Sequence, residues 1–396
     1  MGTILAYPKS LLRFLEQFTS CFSKPQFSNF LQMTNGIALS SYAAISRIGR
    51  MFEPGDPSAV NKFLTQSPWE EKKVKENLHT MMFKHIPDVT TFIGDDTLSE
   101  KPFARCMDGA NKHYSGMHKK HVNGHALVTC GFYHQDGFIP FDVQLYLKKQ
   151  DAQKLHRQFA TKNEIMCEKI DTVSIIHKPY LMLFDSWYAN TTIFKKLKEH
   201  EIHFITQLKS NRNVTMHRRK RQIINHAKDI QIADYNITTI DQRLFRYYET
   251  DGFISGVGTI KIIYTQMYLN DDKQWSDLHF IITDMLFLSA EQTIQLYLQR
   301  FSIEVFHREA KQQLGLDAYQ LTSIRGIERY LFLVMLVYVM LMVLSRLLAM
   351  KSQGHTSIGK LRELLKEECY TTLLKKARIQ TVYERSIIAK RLSYVF

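Results

Sequence analysis

The stretch Tyr297-Leu-Gln-Arg300-Phe-Ser-Ile-Glu304-Val-Phe-His-Arg-Glu-Ala-Lys311 places Tyr297, Arg300, Glu304 and Lys311 at offsets 0, 3, 7 and 14. At 3.6 residues per turn, these four side chains fall within an arc of roughly 60° on one helix. Leu296, Ile303, Phe306, Ala310 and Leu314 fall within roughly 80° on the other side, an apolar stripe suited to a core. The pattern predicts a single helix, buried on one side. Its other side carries one carboxylate among three groups suited to phosphate or base contact.

Upstream of this helix the texture is that of strands. Thr90 to Thr97 (TTFIGDDT) reads as a short apolar strand ending in Asp95 and Asp96. His125 to Tyr133 and Phe138 to Tyr146 read as two more strands, and Asp136-Gly137 between them is a hairpin signal. A helix is predicted from Asp151 towards Ile170, then a strand from Tyr180 ending at Asp185. A helix over Thr192 to Glu201 and a strand over His203 to Lys209 follow. Three strands with a hairpin, helix, strand, helix, strand, and much later the Glu304 helix: this is the element order of an RNase H-like α/β fold.

Residues 210–289 interrupt that order with strand-like runs (Leu244 to Tyr248, Thr259 to Tyr264, Leu278 to Thr283) and the basic cluster His217-Arg-Arg-Lys-Arg221. The expected organisation is therefore a helical N-terminal DNA-binding domain over 1–88 and the first part of the core over 89–209. A β-rich insertion domain spans 210–289, the last part of the core 290–330, and a helical region 331–396. In the N-terminal segment, Asp56-Pro57 and Ser67-Pro68 each put a capping residue before a proline at the first helical position. Ser67-Pro-Trp-Glu70 is also a capping box. Leu331 to Leu344 is an unbroken apolar run of fourteen residues between Arg329 and Arg346. A membrane span needs about 20 residues, so a helix buried on all sides is expected and no membrane partner.

The chain has 396 residues, 45% of them hydrophobic and 23% charged, which describes a folded protein rather than a disordered one. Fifty-two Lys and Arg against 38 Asp and Glu give a net charge of +14, which favours a polyanionic partner such as DNA. Cys21, Cys106, Cys130, Cys167 and Cys369 are scattered, with no Cys-x2-Cys pair. That fits neither a disulfide framework nor a thiolate zinc site, and points to reduced thiols in the cytoplasm. The first residues lack a charged segment followed by a long apolar run, so no secretory leader is expected. His113, His118, His121 and His125 have no consistent ligand spacing and receive no role.

Taken singly, Asp185 reads as a turn or cap residue, and Glu304 as an i±4 partner of Arg300 and Arg308. The conjunction reads differently. Asp95 or Asp96, Asp185 and Glu304 come from two strand ends and one helix, and carboxylates gathered in one place call for a positive counterion. Magnesium prefers such hard oxygen ligands, and two ions can serve the attacking and leaving oxygens of a phosphodiester.

The Tyr-x2-Arg-x3-Glu-x6-Lys spacing resembles the signature of one large branch of bacterial DDE transposases of insertion sequences. The resemblance extends to Asp95-Asp-Thr97-Leu-Ser-Glu-Lys-Pro102, Gly124-His-Ala-Leu-Val-Thr, Asp185-Ser-Trp-Tyr-Ala-Asn190, Leu208-Lys-Ser-Asn-Arg212 and Leu314-Gly315-Leu316. Phe301 stands where that branch often has tryptophan. The resemblance implies catalytic, metal-holding acids Asp95, Asp185 and Glu304, with Asp96 as the alternative to Asp95. It implies DNA-binding positions Tyr297, Arg300, Lys311, Lys209 and Arg212, and two Mg²⁺ ions for which Mn²⁺ substitutes. Cut-and-paste transposition at the nucleoid follows, by a homodimer on paired double-stranded transposon ends and target DNA. A catalytically inactive, transposase-derived DNA-binding protein is the alternative. Trp187 and Trp275 are candidates for receiving a flipped base of a hairpin intermediate, against the ordinary reading of core packing.

Overall fold

The computed structural model describes residues 7–40, 44–52, 56–116, 118–269, 273–352, 356–377, 389–390 and 393. Its core strands are β1 (Thr91–Glu100), β2 (Asn111–Ser115), β3 (Lys120–His134), β4 (Gly137–Tyr146), β5 (Leu181–Phe184) and β6 (His203–Gln207). Strand β1 runs antiparallel to β3 and parallel to β5, and β5 runs parallel to β6. All four residues of β5 are buried, as expected of a parallel strand covered on both faces. The hairpin at Asp136-Gly137 joins β3 to β4, with Gly137 at φ +132°, a conformation that favours glycine.

The register of β1 differs from the sequence expectation. The strand does not end at Asp95 and Asp96, because β3 stays paired with it through Glu100↔Gly124. The parallel neighbour stops first: Gly94↔Phe184 is the last pair between β1 and β5. The acids thus lie mid-strand, where the sheet loses one neighbour.

Strands β7 (Asn213–Met216), β8 (Arg219–Gln222), β9 (Asn236–Ile240), β10 (Arg243–Ile254), β11 (Gly258–Leu269), β12 (Gln274–Trp275) and β13 (His279–Thr283) follow. They extend the core sheet rather than standing apart from it. Strand β13 pairs with β6, and the order is β2-β3-β1-β5-β6-β13-β11-β10-β7-β8. The basic cluster forms the β7–β8 turn, with His217 and Arg218 at positive φ.

Helices α1 (Lys9–Leu15), α2 (Lys24–Leu39), α3 (Ile45–Met51), α4 (Pro57–Thr65) and α5 (Glu71–His85) precede the sheet. Asp56 caps α4 by accepting from the Ser58 backbone N–H. The Ser67 capping box is not used, and α5 opens after Glu70. The reason is tertiary: Arg329, 2% exposed, donates to the carbonyls of Ser67 and Trp69 at 2.8 Å each. Trp69 stacks on Phe63 with ring centroids 5.3 Å apart. The helix expected from Asp151 is two, α6 (Lys149–Lys154) and α7 (Lys162–His177), the second opened by a Thr161/Glu164 capping box. After α8 (Thr191–Glu199) and α9 (Ile223–Ala227), the signature segment is also two helices, α10 (Ala290–Leu298) and α11 (Phe301–Leu314). A tight turn separates them, in which Arg300 N–H bonds Tyr297 O and Ser302 N–H bonds Gln299 O, each at 3.0 Å.

Helix α12 (Ile324–Ser352) contains the apolar run and packs on β4, α2, α4 and α5; every residue from 331 to 344 is buried. By length and composition Ile324–Met350 would also cross a membrane, but its apolar surface is spent inside the protein. Helix α13 (Ile358–Ala377) follows, and most of the expected helix beyond it lies outside the described residues.

Candidate active site

Because β5 ends opposite Gly94, Asp95 and Asp185 are the next residues on two strands that lie about 4.8 Å apart in a sheet. Side chains alternate across a strand, so Asp95 and Asp96 point to opposite faces. A Cβ on Gly94 would sit 2.6 Å from Met166 Cε of α7, which puts Gly94 and Asp96 on the α7 face. Asp95 faces α11.

On that face three alternate residues of β1 each meet one residue from far downstream. Arg300 donates through Nη1 to Asp95 Oδ2 at 3.1 Å. Lys311 Nζ donates to Thr97 Oγ1 at 2.9 Å and to Leu98 O at 2.8 Å. The Tyr319 hydroxyl lies 3.2 Å from Ser99 Oγ. Arg300 also donates through Nη2 to Glu304 Oε1 at 2.7 Å, so one guanidinium links the β1 acid to the α11 acid. The Glu304 side chain remains half exposed, whereas Arg300 is 8% exposed.

Electrostatics follow from this burial. Burial pushes the Asp95 carboxyl up to about 7; Arg300 opposes the rise, and the charge of Asp185 adds to it. Burial raises Asp185 as well, against hydrogen bonding by the Trp187 N–H at 3.0 Å and the pull of Arg300. Asp185 thus serves as a turn residue and a cluster member together. On the α7 face, Asp96 pairs with Lys162 at 2.6 Å and accepts from the Tyr188 hydroxyl at 3.3 Å. The Thr161/Glu164 capping box is the sequence signal that places Lys162 at a helix start.

The five expected DNA-binding residues divide. Tyr297 is 6% exposed, its hydroxyl 3.5 Å from Gln207 Oε1, and burial raises its pKa to about 12. Arg300 and Lys311 are engaged as described. Lys209 and Arg212 are exposed beside the Asp185 loop, Lys209 lying 4.9 Å from the Trp187 ring centre and Arg212 donating to Ala189 O at 3.2 Å. Trp187 is 53% exposed, so the ordinary core reading fails there. His125 is a core residue held between Asp108 O at 2.9 Å and the Tyr319 hydroxyl at 2.8 Å. Of the five cysteines only Cys106 is exposed, and Cys21, Cys130, Cys167 and Cys369 are buried.

The donor set suits a hard divalent cation. Fully ionised, Asp95, Asp96, Asp185 and Glu304 carry four negative charges against the two positive charges of Arg300 and Lys162. The net charge left over is negative, which favours a divalent cation there. Among the described residues no three His, Cys, Asp or Glu side chains close around one point. Arg300 fills the gap between Asp95 and Glu304, so gathering these acids on an ion requires the guanidinium to move.

Comparison with known proteins agrees with this architecture. Residues 37–228 match the family described as DDE superfamily endonuclease, a span that includes Asp95 and Asp185 and ends before Glu304. No curated protein matches the chain. Among solved structures it is similar to the piggyBac transposase in its synaptic complex with hairpin DNA, seen by cryo-EM. The TM-score is 0.51 at 10% identity, over 94% of this chain and 77% of that one. At so low an identity the likeness concerns the fold, an RNase H-like α/β core.

Proposed function

We propose that this protein is a DDE transposase of an insertion sequence, of the branch with the Tyr-x2-Arg-x3-Glu-x6-Lys signature. It cleaves DNA at the element's ends and joins the freed 3′-hydroxyls to target DNA. The observation that carries this reading is the join of Asp95 to Glu304 through Arg300, at the point where β5 ends and Asp185 begins. Asp95, Asp185 and Glu304 are the acids that would hold Mg²⁺ (two ions, Mn²⁺ substituting). Bound there, such a cation supplies Lewis acidity to the attacking water or 3′-hydroxyl and stabilises the leaving oxygen.

The chain's own residues do the rest. Asp95 faces the site on a strand that cannot shift without breaking its pairing with β3. Asp96, held by Lys162 and Tyr188, faces away and is the lesser candidate for the first acid. Arg300 balances the charge of Asp95 and Glu304. Lys209 and Arg212 meet the DNA backbone directly, whereas Tyr297, Arg300 and Lys311 act from inside, setting the position of α11 against β1. Residues 1–88 form the DNA-binding domain, and a homodimer at the nucleoid pairs two ends before cleavage.

A second reading is a DNA-binding descendant in which Arg300 has replaced the cation for good; the closed Arg300 bridge is the observation in its favour. A nicking assay on linear DNA carrying the element's ends, with Mg²⁺ or Mn²⁺, separates the two. Wild type is expected to nick, and Glu304→Gln to slow nicking by about 10²–10³-fold, the usual effect of losing one charge-stabilising group. Equal nicking by both proteins would remove Glu304 from the mechanism. No nicking by wild type would favour the binding-only descendant.

A further inference from the structure

Helix α11 packs against both β1 and β4, so it lies over β3, the strand between them. Thr129 of β3 is the register partner of Asp95, and residues directly opposite one another share a face of the sheet. Thr129 therefore faces α11 beside Asp95. On the helix, His307 follows Arg300 by seven residues and precedes Lys311 by four. That spacing sets the three side chains within an arc of roughly 40°. Arg300 reaches Asp95 and Lys311 reaches Thr97, so the imidazole comes down between them, over the part of the sheet that Asp95 and Thr129 occupy.

Each of these groups keeps one atom unmatched. Thr129 Oγ1, His307 Nε2 and Arg300 Nε have no hydrogen-bond partner among the described residues. The residues are 1%, 7% and 8% exposed, so all three belong to the interior, where an unpaired polar atom is costly. Burial, with the charges of Lys311 and Arg300 adding to it, pushes the His307 imidazole down to about 3. The ring is neutral and can offer a nitrogen as acceptor, as Thr129 can offer its hydroxyl oxygen. Arg300 supplies the matching donors: Nη1 and Nη2 serve the acids, and Nε serves neither. Its guanidinium also lies 4.8 Å from the Phe301 ring centre and 5.8 Å from that of Tyr297. Rings on two sides hinder a swing to solvent, whereas a rotation towards β3 keeps the charge within the same polar layer.

We propose that Thr129 and His307 are positioning residues that receive the Arg300 guanidinium when it leaves the Asp95–Glu304 bridge, and so ease the opening of these acids to a divalent cation. The inference rests on the proposed function in one respect, that these acids hold a cation. Both residues act through Arg300 and touch neither cation nor DNA. A cation that must displace the arginine binds with an apparent affinity scaled by the fraction of molecules in which the bridge is open. Taking away an acceptor for the displaced guanidinium lowers that fraction.

The test titrates Mg²⁺ into full-length protein without DNA and reads binding by calorimetry, so no cleavage is involved. Thr129→Val and His307→Phe remove an acceptor and keep much of the shape. Each is expected to weaken Mg²⁺ binding about tenfold, as for one lost hydrogen bond to a charged group. Thr129→Ser and His307→Gln keep an acceptor and should stay within about twofold of wild type. Placed in Arg300→Ala, the Val and Phe changes should alter Mg²⁺ affinity by less than about twofold, because no guanidinium is left to receive. Melting in EDTA checks the fold of each variant, and the Thr129→Val and Thr129→Ser pair carries the test if His307→Phe does not fold. Equal Mg²⁺ affinity in wild type and well-folded Thr129→Val would overturn the inference. The same loss with Arg300 absent would do so too, since it would mark a packing role. A wild type that takes up no Mg²⁺ would overturn this inference and the cation reading together. If the coupling to Arg300 is found and wild type does not nick the element's ends, the transposase reading fails and the positioning role stands.

Discussion

Arg300 donates to Asp95 Oδ2 at 3.1 Å and to Glu304 Oε1 at 2.7 Å, so a single buried guanidinium joins a β-strand to a helix 205 residues further on. It gives the acids a counterion within the fold itself, and it stands where their oxygens would converge. Removing it strands a buried carboxylate. Arg300→Ala is expected to cost about 3 kcal/mol, the low end for breaking a buried pair, because Asp95 can take up a proton instead. Mg²⁺ should then raise the melting temperature of Arg300→Ala more than that of wild type. Equal shifts in the two proteins would mean that cation and arginine do not compete.

The two neighbouring acids of β1 face opposite ways, Asp95 toward Arg300 and Asp96 toward Lys162. Asp95→Asn should slow end cleavage by about 10³-fold or more, and Asp96→Asn only by about 10–100-fold, the range for a lost supporting partner. Lys162→Ala should match Asp96→Asn. The reverse order of Asp95 and Asp96 in the nicking assay would make Asp96 the first acid.

Acid sensitivity is expected from a site unrelated to catalysis. Asp142, 5% exposed, accepts from Lys75 Nζ at 2.7 Å and lies 3.0 Å from Lys169 Nζ. Burial pushes its carboxyl up, but the two ammonium groups together outweigh burial and hold it well below the ordinary range. A carboxylate depressed on folding adds stability above its unfolded pKa of about 4, and loses it as pH falls toward the folded value. Asp142→Asn should cost about 3–5 kcal/mol at neutral pH and flatten the acid limb of stability below about pH 4. Urea melts across pH measure both, and an unflattened limb would rule out Asp142 as its source.

Gly124 lies opposite Glu100 where β1 and β3 still pair, and a Cβ there would sit 2.2 Å from Ser99 O. The obstacle is backbone, so no rotamer change relieves it. Gly124→Ala should destabilise by about 1–3 kcal/mol, the usual cost of overpacking, and loosen the strand that holds Asp95. Hydrogen exchange of the β1 amides reads this directly. Unchanged protection there would show that the sheet accommodates the methyl group.

Much of the fold is legible along the chain because strands and helices leave periodic marks. The apolar runs of β3 and β4, the Asp136-Gly137 turn and the 3.6-residue stripe are local facts; Ile303, Phe306, Ala310 and Leu314 of that stripe are buried, while Leu296, on the preceding helix, is half-buried. The four-residue signature is legible for the same reason, as is the placing of Asp185 just after a buried strand.

What no local pattern carries is which face turns inward once distant elements meet. Tyr297, Arg300 and Lys311 form a polar stripe on paper, yet folding buries the first two and anchors the third to β1. The break at Gln299–Arg300 that permits this has no proline or glycine to announce it. Likewise the carbonyls of Ser67 and Trp69 accept from Arg329, which stands more than two hundred residues away, and the helix opens only after Glu70. Periodicity records each element's own geometry. The partners of a buried charge are set by long-range packing, because only there does desolvation make an unpaired guanidinium or carboxylate too costly to leave.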